Sequence, residues 1–436
     1  MDAGASLTLN SHAIGAPAIM SAVVQDQGAQ YGRRALAAAV LAHFTNDGNS
    51  IMFTVLIAYY VDMRMSLGYL GAAAAISNLI SGLIAERIGF WADRSGRRGR
   101  LMALGIGLLS AACFTFGLSF LDTAYTSVLV IPGVALLGVG TSFYHPLGGS
   151  IIAFAVKGKA LSRHMGVNGS FGSIGRAFFP TLIVTLVALL GAPSALFLLC
   201  ATMAVIGAAI FFLSRGFDGL MVVERQKQPT ARTPLGPYRR FIASLAAIFL
   251  VNAVFAQGVT TYITAYYEQV YGSADTAGLI TSLILITPIV GQPVQGYLAE
   301  RIGGRRTLQI DVVGSALVFT LFLVSHDAVV QAISLGGLAF FVYTGFPVIL
   351  AYATLMTPRD SITRVNAIIW GFGSTIGSAL GSSVGGTLSQ DFGFHASFTI
   401  SWLFGLAAIA MLPLVPNRIK SGTATVNDGP APAWPR

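Results

Sequence analysis

Residues 89–98 read Gly89-Phe90-Trp91-Ala92-Asp93-Arg94-Ser95-Gly96-Arg97-Arg98, and a degraded copy, Gly296-Tyr297-Leu298-Ala299-Glu300-Arg301-Ile302-Gly303-Gly304-Arg305, stands 207 positions further on. The same offset carries Ala58-Tyr59-Tyr60 onto Ala265-Tyr266-Tyr267. Later in each half the offset becomes 201: Pro146 falls on Pro347, Arg163 on Arg364, and Phe171-Gly172-Ser173 on Phe372-Gly373-Ser374. Self-similarity at a long, nearly fixed offset marks a duplicated structural unit. Gly82-Leu83-Ile84-Ala85-Glu86-Arg87-Ile88-Gly89 also resembles Gly296 to Gly303, so the register of the second apolar run rests on the Ala-Tyr-Tyr match.

The repeat is embedded in apolar sequence. Charged residues are 10% of the 436, hydrophobic residues are 54%, and the mean hydropathy is +0.72. A single soluble core cannot absorb that much apolar surface, but runs of about 20 residues each cross a hydrocarbon layer of about 30 Å as helix. Within lipid the backbone must satisfy its own hydrogen bonds, which makes helix the natural form of such runs. The pattern predicts twelve spans: 35–61, 68–91, 100–120, 125–156, 163–190 and 192–214, then 240–267, 276–299, 306–325, 328–355, 363–388 and 393–415. Fifty glycines suit close helix packing. The expected organisation is a tail 1–34, a six-helix bundle 35–214, a Pro- and Gln-bearing linker 215–239, a second six-helix bundle 240–416 and a tail 417–436. An even number of spans per half, with the charged motif on the same side of both, predicts parallel repeats related by an axis along the membrane normal.

The net charge of +9 does not imply nucleic acid, because the basic residues are sorted by loop. Arg94, Arg97, Arg98 and Arg100 share one loop. Lys157, Lys159 and Arg163 share another, and Arg215, Arg225, Lys227, Arg232, Arg239 and Arg240 fall in the central one. Arg301, Arg305 and Arg306, then Arg359 and Arg364, continue the alternation. The loops between carry Asp62, Asp122, Asp275, Asp327 and Asp391, with Arg64 as their basic residue. This positive-inside asymmetry predicts that the basic loops and both termini are cytoplasmic. Cys113 and Cys200 lie inside apolar runs and are expected to be packed, reduced thiols.

The Gly89 to Arg98 loop, with its copy at Gly296 to Arg306 and the twelve-span pattern, resembles the signature of the major facilitator superfamily over residues 35 to 415. Within it, His43-Phe44-Thr45-Asn46-Asp47-Gly48 and Tyr144-His145-Pro146 are similar to runs in the fosmidomycin-resistance-like efflux proteins. The resemblance implies a bacterial plasma membrane transporter that works as a monomer without a cofactor. It also implies a gate latch built from Gly89, Asp93, Arg94, Gly96, Arg97, Arg98, Glu300, Arg301 and Arg305, closed in the outward-facing form. The physical basis is that a tight turn at Gly96 sets a carboxylate and arginines at helix ends, where the helix dipoles favour them. Gly169, Gly172, Gly175 and Pro180 resemble the glycine-rich antiporter motif of drug exporters, from which Arg176-Ala177-Phe178 departs.

Ionisable groups inside a span are expensive and therefore candidates for function. His43, Asp47, Ser50 and Thr54 form one polar stripe on helix one. At about 1.5 Å per residue, Asp47 lies some 18–20 Å from the Arg34 end, Arg176 about as far from Arg163, and His145 about 18 Å from Lys157. These groups share one depth. The expected proton carriers are Asp47 and His145 with His43 beside them. Arg176 is either a ligand for an anionic solute or a structural bridge to Asp47. Glu86 and Arg87 are read as extending the latch. The second half is expected to offer no deep charge, Asp311 being placed only a turn or so beyond Arg306, and to contribute neutral groups instead. The expected solute contacts are Arg176, Asn46, Ser50, Tyr144, Gln257, Tyr262, Tyr343 and Trp370.

These residues point to a secondary transporter that exports a drug or metabolite against protons; proton-coupled uptake of a small organic anion is the rival direction. An integral-membrane enzyme is disfavoured because the sequence lacks metal-ligand spacings, nucleophile motifs and a phosphate loop. A channel is disfavoured by the duplication.

Overall fold

The computed structural model describes residues 15–156, 160–218, 234–357, 365–366, 368–416, 418–421 and 424–427. Lys157, Lys159, Arg225, Lys227, Arg232, Arg359 and Arg364 lie outside the described residues, as do the side chains of Asp93 and Arg163.

The first half contains span 1 (Gly15–Ser50 and Met52–Asp62), span 2 (Leu67–Ser95), span 3 (Arg98–Ser119), span 4 (Thr126–Thr141 and Tyr144–Ala155), span 5 (Ala160–Leu190) and span 6 (Ala192–Ser214). The second contains span 7 (Arg239–Thr260 and Ile263–Tyr271), span 8 (Ala274–Ile284 and Thr287–Ile302), span 9 (Gly304–Val324) and span 10 (Ala328–Met356). A π-helical segment, Ile368–Thr375, then leads into Ile376–Met411, which Gly393 (φ 80°) divides into spans 11 and 12. Span 1 begins as helix at Gly15, well before the expected start at residue 35. Beyond span 12, Arg418–Ser421 pairs antiparallel with Ala424–Asn427, a small departure from an all-helical chain.

Local chemistry explains the helix ends. The Ser66 hydroxyl accepts from the Tyr69 N–H, Ser273 does the same for Thr276, and the Asp327 carboxylate caps Val329 and Val330. Span 2 ends at Gly96, whose φ of 65° is the left-handed conformation a glycine cap adopts freely, with its N–H donating to Ala92 O at 2.8 Å. Spans 1, 4, 7 and 8 each break in mid-course, at Ser50–Ile51, Ser142–Phe143, Thr261–Tyr262 and Leu285–Ile286. Hydroxyls take up loosened carbonyls there: Ser50 Oγ donates to Asp47 O and Ser142 Oγ to Val139 O, both at 2.6 Å.

The two halves meet along spans 2 and 11 and along spans 5 and 8. These pairs exchange under the duplication. A Cβ on Gly71 would lie 3.2 Å from Gly386 Cα; 207 positions on, a Cβ on Gly278 would lie 3.1 Å from Val184 Cβ. Gly68 N donates to Gln390 Oε1 at 3.0 Å, Asn78 Nδ2 to Ser382 Oγ at 3.2 Å, and Thr181 N to Ser282 Oγ at 2.9 Å. One buried apolar cluster runs through both halves, taking in Leu56, Tyr60, Phe255, Tyr262, Phe319 and Phe398. A second, with Phe241, Leu245, Leu308, Tyr352 and Met356, belongs to the signature-loop end of the second half alone. The halves therefore share a core toward Asp62 and keep a separate one at the other end of the second half.

Candidate functional site

Asp47 is 2% exposed, and its carboxylate is the hub of a polar cluster between spans 1, 4 and 5. Arg176 Nη1 donates to Asp47 Oδ2, which also lies 3.1 Å from His43 Nε2; His145 Nε2 lies 3.9 Å from Oδ1. Asn46 Nδ2 donates to Oδ1 at 3.0 Å. Glycine makes the approach possible, because a Cβ on Gly172 would fall 2.6 Å from Asp47 Oδ2. Arg176 Nη2 donates to Ser173 Oγ at 3.0 Å, and its guanidinium stacks on the Tyr343 ring of span 10 with 4.9 Å to the centroid.

His43 has partners for either protonation state. Its Nδ1 lies 2.7 Å from the Asn168 carbonyl oxygen, an acceptor, and 3.0 Å from Asn168 Nδ2, a donor. A neutral ring accepts from the amide and donates through Nε2 to Asp47; a cationic ring donates at both nitrogens. Tyr144 stacks on His43 with centroids 4.2 Å apart and exchanges hydrogen bonds with the Asn168 side chain.

His145 is the open member, its side chain 44% exposed. Its ring is 5.5 Å from that of Trp370, which the π-helical segment carries in from the second half. Next to the cluster, a cavity of about 130 Å3 is lined by Ser50, Thr54, Asn78, Gln257, Thr260 and Tyr343 among others. The expected residues thus separate into groups. Asp47, His43, His145 and Arg176 come together; Ser50, Gln257 and Tyr343 line the cavity, and Trp370 closes on His145. Asn46 and Tyr144 are buried behind the carboxylate and the imidazole, serving them rather than the cavity. Tyr262 is fully buried, and its hydroxyl donates to Ser382 O at the joint between spans 2 and 11, away from the cavity.

Asp311 corrects the expectation that the second half has no deep charge. It is 5% exposed and accepts from Gln295 Nε2, because spans 8 and 10 close over the inward face of span 9.

In the signature loop Gly89 packs near Pro146, a Cβ there falling 3.5 Å from the proline Cβ. Arg94 lies over Phe90 at 5.3 Å and Arg301 over Tyr297 at 4.9 Å, each on its own helix. Arg97 is exposed, while Arg98 and Arg305 are half-buried and engaged in other interactions. Glu300, Glu86 and Arg87 are exposed. Among the described side chains, the carboxylate that grips the loop is Asp218, which the sequence reading missed. Its Oδ1 accepts from Gly99 N at 2.7 Å and its Oδ2 from Arg100 N at 3.1 Å, so it caps span 3 from beyond the end of span 6. Burial pushes the Asp218 carboxyl upward, against the pull of those two N–H groups and of Arg100 and Arg98. Asn168 and Ser173 were also missed; each is a polar residue on the Arg176 helix, and the one signal along the chain was the i−3 spacing of Ser173 from Arg176.

The profile of the Major Facilitator Superfamily matches residues 36–274 and 245–434. The chain belongs to that superfamily. Among curated relatives of this facilitator, the fosmidomycin resistance protein of Escherichia coli K12 is 27% identical over 88% of this chain and 93% of its own length. Multidrug resistance protein 2 of Bacillus subtilis 168 is 24% identical over 87% and 94%. The fold also matches an inward-facing, occupied bacterial homologue of the human lysosomal transporter Spinster, with a TM-score of 0.66, 16% identity and coverage of 87% and 96%. For the nucleoside transporter NupG the TM-score is 0.68, with 13% identity and coverage of 88% and 100%. The facilitator is thus a multi-pass membrane protein of two parallel six-helix repeats. It is a secondary active transporter of small solutes, not an enzyme.

Proposed function

We infer that the protein exports a small organic solute in exchange for protons, by rocking residues 35–214 against 240–416 about the central cavity. On this reading it works as a monomer in a bacterial inner membrane. Residues 215–239 are a cytoplasmic linker, and the tails 1–34 and 417–436 are on the same side. The observation that carries the reading is the Asp47 hub: a buried carboxylate held by Arg176 and two histidines, one of which opens to the space between the halves. A proton arriving at His145 and passing to Asp47 discharges the carboxylate, whereas one resting on His43 leaves it ionised but offsets its charge; either loosens its hold on Arg176. The freed guanidinium is then available to an anionic group of the solute, while Tyr343 and Trp370 report the change to the second half. The structural bridge is the empty state of the same device. Export is supported by the drug-resistance names of the relatives.

The test is purified protein in liposomes with an imposed pH gradient, screened against acidic and neutral solutes. Solute should move against the proton flux; movement with it indicates uptake symport. Transport indifferent to the gradient in the wild type, or unaltered in Asp47→Asn, removes the proton. Loss of preference for anions in folded Arg176→Gln supports the ligand role over a bridge alone.

A further inference from the structure

The second half buries a carboxylate that the central cluster does not use. Asp311 lies about 10 Å inside the Gly304 end of span 9, and Gln295 of span 8, 1% exposed, lies about as deep from Ile302. Gln295 Nε2 donates to Asp311 Oδ1. That leaves Asp311 Oδ2 and Gln295 Oε1 buried without a hydrogen-bond partner, and both are acceptors. Span 10 covers the pair closely, for a Cβ on Gly345 would lie 2.9 Å from Oδ2. The other ionisable side chains on these helices near this end are Tyr297, Glu300 and Arg301 of span 8, Arg305 and Arg306 of span 9, and Tyr343 and Tyr352 of span 10. Among the described residues no Lys, Arg or His nitrogen forms an ion pair with Asp311. An ionised carboxylate here has neither a counter-charge nor a full set of donors, the situation that buried charges avoid.

We propose that Asp311 and Gln295 form a second proton-binding site, with the proton on Asp311 paired to the Gln295 carbonyl. A carboxylic acid donates O–H to Gln295 Oε1 while the amide N–H still donates to the other carboxyl oxygen, so one proton satisfies both orphaned acceptors. Exchanging the amide oxygen and nitrogen strengthens the requirement, because two oxygens then face each other. The proton is taken from water at the signature-loop end of the second half and returned there when span 10 moves off Asp311. The site has no twin: 207 positions earlier stand Ile88 and Leu104. It is thus separate from the Asp47 cluster and independent of whether that cluster couples protons.

Infrared spectroscopy of the full-length protein in lipid at neutral pH tests this through the carbonyl stretch of a protonated carboxyl. The wild type and Asp47→Asn should show a band that moves in D2O, Asp311→Asn should lack it, and Gln295→Leu should keep it at a shifted frequency. Asp311→Asn matches the acid in shape and keeps a donor, so it should unfold at the wild-type temperature. Should it fail to fold, the Gln295→Leu shift alone decides. Identical spectra for wild type and Asp311→Asn, or no shift in Gln295→Leu, overturn the site.

Discussion

At the scale of single residues, the Asp47–Arg176 pair matters because each charge is tolerable only with the other present. Breaking a buried pair by removing one partner costs about 3–5 kcal/mol, while removing both leaves no stranded charge. Asp47→Asn and Arg176→Gln should therefore each lower the thermal unfolding temperature in detergent, and the double variant should lower it by clearly less than the two effects added. Strict additivity would mean that the contact is incidental. The duplication makes the asymmetry plain: 207 positions after Asp47 stands Val254, and 201 after Arg176 stands Gly377. In the second half Gly377 packs against the backbone of span 7, a Cβ there falling 3.0 Å from the Leu250 carbonyl carbon.

Helices and their ends carry the next set of consequences. Asp218 closes the N-terminus of span 3 and so fixes the exit of the signature loop. Loss of such a cap typically costs about 1 kcal/mol, so Asp218→Ala should speed hydrogen exchange at the Gly99 and Arg100 amides, and Asp218→Asn should restore part of the protection. Unaltered exchange in Asp218→Ala would assign the cap to another group. Between helices, spans 2 and 11 touch through bare backbone at Gly71 and Gly386. Overpacking at such a crossing costs about 1–3 kcal/mol, more than enough to bias two conformations. Gly71→Leu should hold that end open, seen as faster labelling of an Asn78→Cys reporter from the side of Asp62 and as loss of transport. Labelling at the rate of the reporter in an otherwise unmodified chain would refute a closed joint there.

For the whole molecule, the loop charges predict an orientation that fusions can test. A fluorescent protein fused after Arg436 should light up in the cytoplasm, and alkaline phosphatase fused in the loop at Asp122 should be active outside it. The opposite pattern for either fusion would reverse the topology. The packing suits a carrier whose halves rock against each other, because they share one apolar core while the second half keeps a separate one at its signature-loop end.

Much of this was legible in the residues. Depth follows from rise per residue, and the face of a helix from its angular period, so Asp47, His145 and Arg176 could be set at one level before any coordinates. Neighbours across helices were not legible. Asn168 looked like one polar residue among many in span 5, and its place on His43 depends on how spans 1, 4 and 5 cross. Asp311 was read by distance along its own helix as a shallow charge only a turn or so beyond Arg306, when burial came from spans 8 and 10 closing over it. Asp218 lies beyond a span, where periodicity has nothing to say.

By itself the sequence determined the membrane class and the duplication, because apolar length and repeat spacing are one-dimensional quantities that can be read along the chain. Tertiary structure alone decided which polar groups meet, which are buried and which are left without a hydrogen-bond partner. Those outcomes depend on helix crossing and rotation, and a few glycines set these by how closely they let two backbones approach.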